Sequence, residues 1–454
     1  MSTATQRLEW RGVLTSAVMS TMLPVEFAVP EGVTNLHVTF LYSPHVGPGQ
    51  KLPHQVSVSI FDPNGPRCEM SRPTEEGLDI GLLQSSPGGT SGPIIPGRWI
   101  ALIQVHRVLT EQPVEYVLSI ELSFVPAKGE PATWPVPALG GRGPGWYRGD
   151  LHSHTIHSDG SWDVPDLVGF WRRQGVDFMT LSDHNTISGL AQARGMADPS
   201  FLVMGGIELS TFRGHALAIG VQQWLEWRRS DGTELPMPQV VRQVMEAGCL
   251  CIIAHPMDPG DPGCCGCRWE HYDMMPGNAL VVEIWNGIWS PSNQEALTWF
   301  YRWINEGRRL TATSGTDLHE EPPVGARGAV NVVYAEDLTE GAIIAAIKAG
   351  RSYVSGGPTL LLNVVTAAGR EAMLGDTVPP EAATAVVRWS GAHGGDILRF
   401  NVNGRAYREQ IVGEAGEMRW PLTPGQAKWC NAELRDADDG LWAVTNPIYF
   451  GHEM

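Results

Sequence analysis

Histidine and carboxylate residues concentrate near the middle of the chain, in the run Gly-Asp-Leu-His-Ser-His-Thr-Ile-His-Ser-Asp-Gly at residues 149–160. His152 and His154 are two positions apart, so at the end of an extended strand both imidazoles point the same way and can reach one metal ion. Asp159 follows five residues later and can return from the next turn to a neighbouring ion. One such run is also typical of a polar loop, so the metal hypothesis depends on further ligands along the chain.

Five more clusters of similar composition follow in order, centred on Asp183-His184, Glu208, His215, His255 and Asp317-Leu318-His319. Nearly all come directly after short apolar runs that resemble buried strands, such as 178–181, 250–254 and 279–284. Between several of them lie segments of helical composition, at 164–174, 239–247, 294–306 and 341–349. Alternating buried strands and helices predict a parallel sheet or barrel, and such barrels carry their chemistry at the carboxyl ends of the strands.

The order of these blocks resembles the PHP (polymerase and histidinol phosphatase) metal-dependent hydrolases over residues 147–355. The resemblance includes the His-x-His opening, the Ser-Asp-His-Asn block, the Ala-His-Pro block and the closing Asp-x-His. The Val-Glu-Ile-Trp-Asn segment at 282–286 and the Thr-Asn-Pro segment at 445–447 look like the CehA/McbA-type branch. The resemblance implies an α/β fold, a distorted (β/α)7 TIM-like barrel.

The resemblance also implies a cofactor of two to three divalent transition-metal ions. The first ion would be held by His152, His154, Glu208 and Asp317, the second by Glu208, His215 and His255, and the third by Asp159, His184 and His319. Glu208 would bridge the first two ions. Neutral imidazoles and carboxylates suit Zn, Mn or Fe.

Such a centre predicts a hydrolase that uses a metal-bridging hydroxide. We expect Glu208 and His255 to be catalytic through the ions, and Asp183 either to orient His184 or relay a proton, or to cap a turn. Glu283 and Asn286 end a strand at the expected rim and are predicted substrate contacts, together with two arginines, Arg213 and Arg327. These arginines either bind a phosphate bidentately or are ordinary surface charges.

The favoured function is a phosphoesterase acting on phosphomonoesters or phosphodiesters. The same centre could instead cleave a carbamate, a carboxylic ester or an amide. A further alternative, from a different functional class, is an inactive barrel that binds a small molecule. Four tryptophans lie beside the ligand blocks and predict an aromatic-walled pocket suited to an aryl group, namely Trp162, Trp269, Trp285 and Trp289. Filled ligand positions in every block disfavour the inactive alternative.

The 454 residues, 43% of them hydrophobic, suffice for two or three domains. Residues 1–125 read as a β-rich domain, with strands at 36–42, 56–61, 99–106 and 114–124. A Pro/Gly-rich linker at 126–146 precedes the barrel at 147–355. A second β-rich unit at 356–454, with hairpin turns at Asn403-Gly404 and Asp439-Gly440, is predicted to pack with the first into one sandwich-like body.

The formal charge of −17 disfavours a nucleic-acid partner, which would require a basic surface. No apolar stretch approaches the roughly 20 residues that span a membrane, and the first residues lack signal-peptide features, so we expect a cytoplasmic protein without a membrane partner. Its expected partner is a small-molecule ester substrate, and homo-oligomerisation is left open. Cys264, Cys265 and Cys267 are predicted to be reduced thiols in a loop, because no second Cys-x-x-Cys pair completes a zinc knuckle.

Overall fold

The computed structural model describes residues 5–47, 51–109, 113–271, 279–326 and 328–451, and it shows a mixed α/β protein rich in strands. The described helices are a 3-10 turn at Ser16–Val18 and α1 (Val164–Arg173), α2 (Leu190–Gly195), α3 (Met237–Glu246), α4 (Pro291–Asn305) and α5 (Glu340–Lys348). Four of them match the predicted helical segments to within a few residues. None of these helices is long and apolar enough to cross a membrane.

The N-terminal unit is a sandwich of two antiparallel four-stranded sheets. Its strands are β1 (Thr5–Leu14), β2 (Thr21–Val29), β3 (Asn35–Ser43), β4 (Gln55–Asp62), β5 (Gly65–Met70), β6 (Leu78–Gly81), β7 (Gly97–Arg107) and β8 (Val114–Ser123). One sheet has the order β1-β8-β3-β6 and the other β2-β7-β4-β5. Their apolar inner faces share one core, which includes Val38, Ile60 and Trp99. All four predicted strands of this unit are confirmed.

The central unit carries the predicted ligand blocks. Its strands are β9 (Gly145–Gly149), β10 (Phe178–Leu181), β11 (Leu202–Thr211), β12 (Gly214–Ile219), β13 (Leu250–Ile253), β14 (Val281–Asn286), β15 (Thr311–Gly315), β16 (Val330–Ala335) and β17 (Ser352–Ser355). They lie in the order β15-β14-β13-β12-β11-β10-β9-β16-β17. Strands β9 to β11 run parallel to one another, as do β13 to β15.

The arrangement differs from the predicted (β/α)7 barrel in strand direction. Strand β12 is antiparallel to both neighbours, and β16 is antiparallel to β9. The physical reason for the first difference is the two-residue turn between Thr211 and Gly214, because a turn that short joins only antiparallel strands. Parallel neighbours would need a crossover of a dozen or more residues.

Amide side chains join β15, which ends the sheet on one side, to β16 and β17. The Asn331 side chain donates to the Ser314 carbonyl at 2.7 Å and accepts from the Ser314 N–H at 3.0 Å. Asn446 bonds in the same way to the backbone N–H and carbonyl of Ala312, and it also donates to the Ser352 carbonyl. Among the described residues no backbone ladder pairs β15 with β16, so backbone pairing does not close this sheet into a barrel.

The C-terminal unit is a second sandwich. Its strands are β18 (Thr359–Thr366), β19 (Glu371–Ala372), β20 (Thr377–Val378), β21 (Ala383–Ser390), β22 (Ile397–Val402), β23 (Arg405–Ile411), β24 (Ala415–Leu422), β25 (Trp429–Arg435), β26 (Leu441–Thr445) and β27 (Ile448–Phe450). Strand β26 pairs with β17, so the central sheet continues into this unit. Both predicted hairpins are present, with Asn403 and Asp439 at positive φ.

The prediction that the two β-rich units form one sandwich was wrong. Each has a separate apolar core, because each supplies both of its own facing sheets. The N-terminal sandwich packs on the central unit, and residues such as Phe61 and Leu102 join the core that contains Trp227. Arg228 reinforces that contact: its guanidinium is fully buried and lies 2.6 Å from the Glu69 carboxylate.

Candidate metal centre

All nine predicted metal ligands lie in one connected cluster at the ends of the central strands. His152 and His154 follow β9, Glu208 lies on β11 and His215 on β12, while His255 follows β13. The other four occupy loops, with His184 after β10, Asp317 and His319 after β15, and Asp159 in the turn that follows the His-x-His pair. The apolar strands thus carry polar residues where each strand ends, as the sequence pattern predicts.

Four overlapping groups of side chains have ligand atoms close enough to surround an ion. They are His152-His154-Glu208-Asp317, His154-Asp159-His184-His319, His184-Glu208-His215 and His215-His255-Cys267. The first equals the set that the resemblance implied for the first ion, and the second adds His154 to the set implied for the third ion. Cys267 was not predicted as a neighbour of His215 and His255, and because its sulfur is bonded to that of Cys264 it does not offer a thiolate ligand.

Glu208 occupies the centre of the cluster, with its two carboxylate oxygens facing different histidines. Oε1 lies 2.9 Å from His215 Nδ1 and 3.2 Å from His255 Nε2. Oε2 lies 3.2 Å from His152 Nε2, and it also faces His154 and His184. This division of the oxygens is the geometry that a carboxylate needs to contact two neighbouring ions.

Several ligand atoms in this cluster are buried without a hydrogen-bond partner. They are His152 Nε2, both ring nitrogens of His154, Asp159 Oδ1, Glu208 Oε2 and Asp317 Oδ1. Buried polar atoms without partners cost free energy, and native structures rarely keep several together. These atoms lie 2.9–3.4 Å from one another in pairs such as His154 Nε2 and Asp317 Oδ1. The residues therefore fit divalent cations that would take up the unsatisfied lone pairs.

The charges of the cluster also call for cations. Burial alone would raise the pKa of Glu208, but the neighbouring His184 and His152 hold that pKa well below its usual range. Burial and the nearby His319 lower the pKa of His154 to about 3, so this imidazole is neutral near pH 7. Burial would also lower the pKa of His255, but its contact with Glu208 raises the pKa to about 9. His152, His184 and His319 likewise have raised pKa values, so without ions protonated imidazoles balance the ionised carboxylates, and bound cations would take the place of those protons.

The backbone at the site is strained at three positions. Asn185, His255 and Asp317 have φ values of 51°, 26° and 51°, in the left-handed region that residues other than glycine rarely adopt. Two of these residues are ligands and the third follows the ligand His184. Such conformations cost about 1–3 kcal/mol each and cluster at functional sites. They aim the ligand side chains at the common centre.

Glu283 was predicted to contact substrate, but its side chain is buried behind the ligands. Its Oε1 lies 3.3 Å from His152 Nδ1, and its Oε2 accepts a 2.8 Å hydrogen bond from the His255 N–H. Gly315 permits this arrangement, because a Cβ there would lie 1.9 Å from Glu283 Oε1. Asn286 donates to Glu283 and to Asp317 Oδ2, at 3.4 Å each. Both side chains therefore position ligands.

Asp183 also positions the site. Its carboxylate accepts hydrogen bonds from the Thr155 N–H and hydroxyl and from the Ser158 hydroxyl, at 2.6–2.7 Å. All three donors belong to the turn between His154 and Asp159, so Asp183 shapes that turn, in accordance with the capping alternative. Asp150, which sequence reasoning missed, accepts from the N–H groups of His152 and Thr316 and holds two ligand loops together.

Arg213, one of the two predicted phosphate-binding arginines, does not join the site. Arg213 is exposed and does not line the cavity in front of the cluster. Arg327 lies outside the residues that the structure describes.

Cys264 and Cys267 form a disulfide rather than the predicted free thiols, while Cys265 stays unpaired. The closeness of positions 264 and 267 could have suggested this pairing.

A cavity of about 560 Å³ opens in front of the cluster. Its lining includes His184, Asp317 and His319 from the centre, the Cys264–Cys267 loop and a wall from the N-terminal sandwich. No tryptophan lies among its described lining residues, and Trp269 and Trp285 are buried. The prediction of an aromatic-walled pocket was therefore wrong, because these indoles fill the core instead of facing the substrate.

Comparison with known proteins found similarity over part of the chain. No protein-family model matches the chain. A curated relative, the phosphoribosyl 1,2-cyclic phosphate 1,2-diphosphodiesterase of Eggerthella lenta, is 35% identical over 81 residues, which cover 16% of this chain and 31% of the relative. The chain thus aligns with about a third of the length of that enzyme. A match of this length does not assign the activity of the whole enzyme to this chain.

Solved structures also show distant likenesses. A two-domain protein from Bacteroides vulgatus that contains a predicted PHP-like metal-dependent phosphoesterase is 16% identical, with a TM-score of 0.39, and the match covers 71% of this chain and 100% of that one. An amidohydrolase from Chromobacterium violaceum is also 16% identical, with a TM-score of 0.28 and coverage of 39% of this chain and 92% of that one. Because both scores are low, the functional argument depends on the geometry of the site.

Proposed function

We propose that this chain is a metal-dependent phosphoesterase related to the PHP hydrolases. The observation that carries the proposal is the central position of Glu208, whose two oxygens face separate groups of histidines. The order of the ligand blocks, which resembles that family, supports it. The short match to a relative named as a phosphodiesterase also supports it.

Bound divalent cations would supply two effects: they lower the pKa of a water molecule, and they neutralise charge that develops on phosphoryl oxygens. The protein's own residues set where these effects act. Glu283 and Asn286 hold His152, the His255 backbone and Asp317 in place from behind. His152 and His154 are fully buried, whereas the Asp317 and His319 side chains keep 23% and 29% of their surface exposed. A substrate would therefore meet the cluster at the edge formed by Asp317 and His319.

The arginine and histidine side chains in the cavity lining favour an anionic phosphate ester over a neutral aryl carbamate. Histidine, serine, arginine and carboxylate side chains line this space, and the indoles that suggested an aryl substrate are elsewhere. A carboxylic ester or amide would use the same centre, so only direct comparison of substrates separates these reactions. An inactive binding module is disfavoured, since all nine ligand positions are filled and converge.

The test compares three substrates on chelator-stripped protein reconstituted with Mn²⁺ or Zn²⁺. These are p-nitrophenyl phosphate, bis(p-nitrophenyl) phosphate and an aryl carbamate. We expect metal-dependent release of nitrophenol from at least one phosphate ester, at a rate well above that with the carbamate. The stripped protein is the matched control. A fully metal-loaded protein that cleaves the carbamate but neither phosphate ester would refute the proposal.

A further inference from the structure

The wall that faces the metal centre belongs to the N-terminal sandwich. Residues from β3, from β7 and from the segments before β4 and after β5 line the same cavity as the predicted ligands, including Tyr42, His54, Ser71, Arg72 and His106. The Arg107 guanidinium ties this wall to the opposite rim, because it donates to the carbonyls of Pro262 and Gly263 beside the Cys264–Cys267 loop. The cavity is therefore formed between two structural units.

Arg72 brings a cation to the exposed edge of the centre. Its Nη2 lies 3.4 Å from Asp159 Oδ2, and 64% of its side-chain surface is accessible. The same Asp159 carboxylate lies 3.0 Å from His319, so the guanidinium stands next to the third group of ligands. A guanidinium presents five N–H donors in a planar fork that matches phosphate or carboxylate oxygens. One long contact to Asp159 leaves most of those donors available.

Two further polar groups on this wall lack partners among the described residues. Ser71 Oγ, adjacent in the chain to Arg72, is buried without a hydrogen bond, and so is His54 Nε2. His54 as a whole is only 2% exposed, and its Nδ1 accepts a hydrogen bond from the Leu109 N–H at 3.4 Å. Burial, with the charge of Arg107, lowers the pKa of His54, so the ring is neutral and its proton resides on Nε2. His54 therefore offers a buried donor without an acceptor.

Buried donors without acceptors cost free energy unless a ligand oxygen satisfies them. Both residues line a cavity whose other wall holds the predicted ligands, but Ser71 Oγ and His54 Nε2 are themselves inaccessible, so a substrate between the walls would meet these donors only after a side-chain rotation. The Arg72 cation and the Ser71 hydroxyl would together bind an anionic group of the substrate. The neutral N–H donor of His54 would bind a hydroxyl or ring oxygen. No tryptophan lies among the described lining residues, where Tyr42 is the one aromatic ring besides the histidines.

We propose that Arg72, Ser71 and His54 of the N-terminal sandwich form a leaving-group subsite for a sugar phosphate that carries a second anionic group. This inference rests on the proposed phosphoesterase function and deepens it. The metal centre takes the phosphoryl group that is cleaved. Arg72 and Ser71 bind the second anion, and His54 donates to an oxygen of the sugar.

The test measures phosphate release from glucose 1,6-bisphosphate and glucose 1-phosphate, which differ by one phosphate group. Wild-type protein should have at least a tenfold higher kcat/KM for the bisphosphate. Arg72→Gln should lower this preference at least tenfold, because a charged hydrogen bond is lost. Ser71→Ala should lower it by a smaller factor, and Arg72→Lys should restore part of it. Metal content and circular dichroism verify that each variant keeps its fold and its ions.

Arg213→Gln is the matched control, since Arg213 is an exposed arginine of the central unit that does not line the cavity. It should leave the preference unchanged. Turnover of p-nitrophenyl phosphate separates the two proposals. If metal-loaded wild type cleaves that ester but shows no preference for the bisphosphate, or if Arg72→Gln leaves the preference intact, the subsite is refuted while the phosphoesterase stands. Failure to cleave any phosphate ester refutes the phosphoesterase itself.

Discussion

Replacement of Glu283 by glutamine discriminates between a substrate contact and a positioning residue. The Glu283 carboxylate is 1% exposed, lies 3.3 Å from His152 Nδ1 and accepts a 2.8 Å hydrogen bond from the His255 N–H. Glutamine is nearly isosteric and keeps one acceptor oxygen, but it removes the negative charge. That charge holds the His152 proton on Nδ1 and leaves Nε2 free to bind an ion.

The expected loss follows from the strength of the bond that is changed. A hydrogen bond to a charged group contributes about 1.5–3 kcal/mol and a neutral one about 1 kcal/mol, so Glu283→Gln should cost roughly 0.5–2 kcal/mol of metal-binding free energy. This corresponds to about 2- to 30-fold weaker binding. The fold should persist, because the side chain keeps its volume and one acceptor. The KM for p-nitrophenyl phosphate at saturating metal should change little.

Isothermal titration of chelator-stripped protein with Mn²⁺ measures the affinity, and steady-state kinetics at saturating Mn²⁺ gives KM. Glu295→Gln is the matched control, because Glu295 lies on α4 with 44% of its side chain exposed and contacts only Arg268 among the described ion pairs. The reasoning is refuted if Glu283→Gln binds Mn²⁺ with wild-type affinity but has a raised KM. That outcome would make Glu283 a substrate contact, as the sequence suggested.

Three other substitutions test the centre and its support. Glu208→Gln should reduce turnover to that of chelator-treated protein with an unchanged circular dichroism spectrum, and near-wild-type turnover would exclude Glu208 as the central carboxylate. Gly315→Ala forces a Cβ to within 1.9 Å of Glu283 Oε1, so it should cost about 1–3 kcal/mol of unfolding free energy and at least one metal equivalent, as measured by denaturation and elemental analysis. Arg228→Met leaves the buried Glu69 carboxylate without its cation, and urea unfolding should show a loss of about 3–5 kcal/mol, whereas adding Glu69→Met should recover much of that loss.

The clustering of the candidate ligands was predictable because each lies in a block with a local sequence signal, whereas their division among ions was only implied by the family resemblance. His184 and His255 each follow a short apolar strand, and the carboxyl ends of parallel strands meet at one edge. Helices α1 and α5 were equally visible, since Asp163 and Thr339 provide N-caps directly before their apolar stripes. Patterns within ten or fifteen residues therefore sufficed for these elements and for the residues at their ends.

Side-chain direction and long-range contacts were not predictable in this way. Glu283 lies within β14 as the candidate ligand Glu208 lies within β11, yet its carboxylate points behind His152 because Gly315 leaves space there. No local pattern distinguishes the two directions. Arg72 lies 87 residues before Asp159 in the chain, and only the docking of the sandwich brings them together. The β11–β12 hairpin was missed because two apolar strands with a two-residue turn resemble one buried segment.

Side-chain burial decreases across the metal centre from His152 to His319, and this explains why the sandwich would take part in substrate recognition. His152, His154 and Glu208 are inaccessible, so a substrate can approach only from the side of Asp159, Asp317 and His319. That side faces the cavity, and the wall opposite belongs to the N-terminal sandwich. Groups that recognise the part of a substrate beyond its reacting phosphoryl must therefore come from the sandwich or from the rim of the cavity. Differences in substrate selection among chains with this ligand set would then arise in the sandwich or at the rim of the cavity while the ligands stay the same.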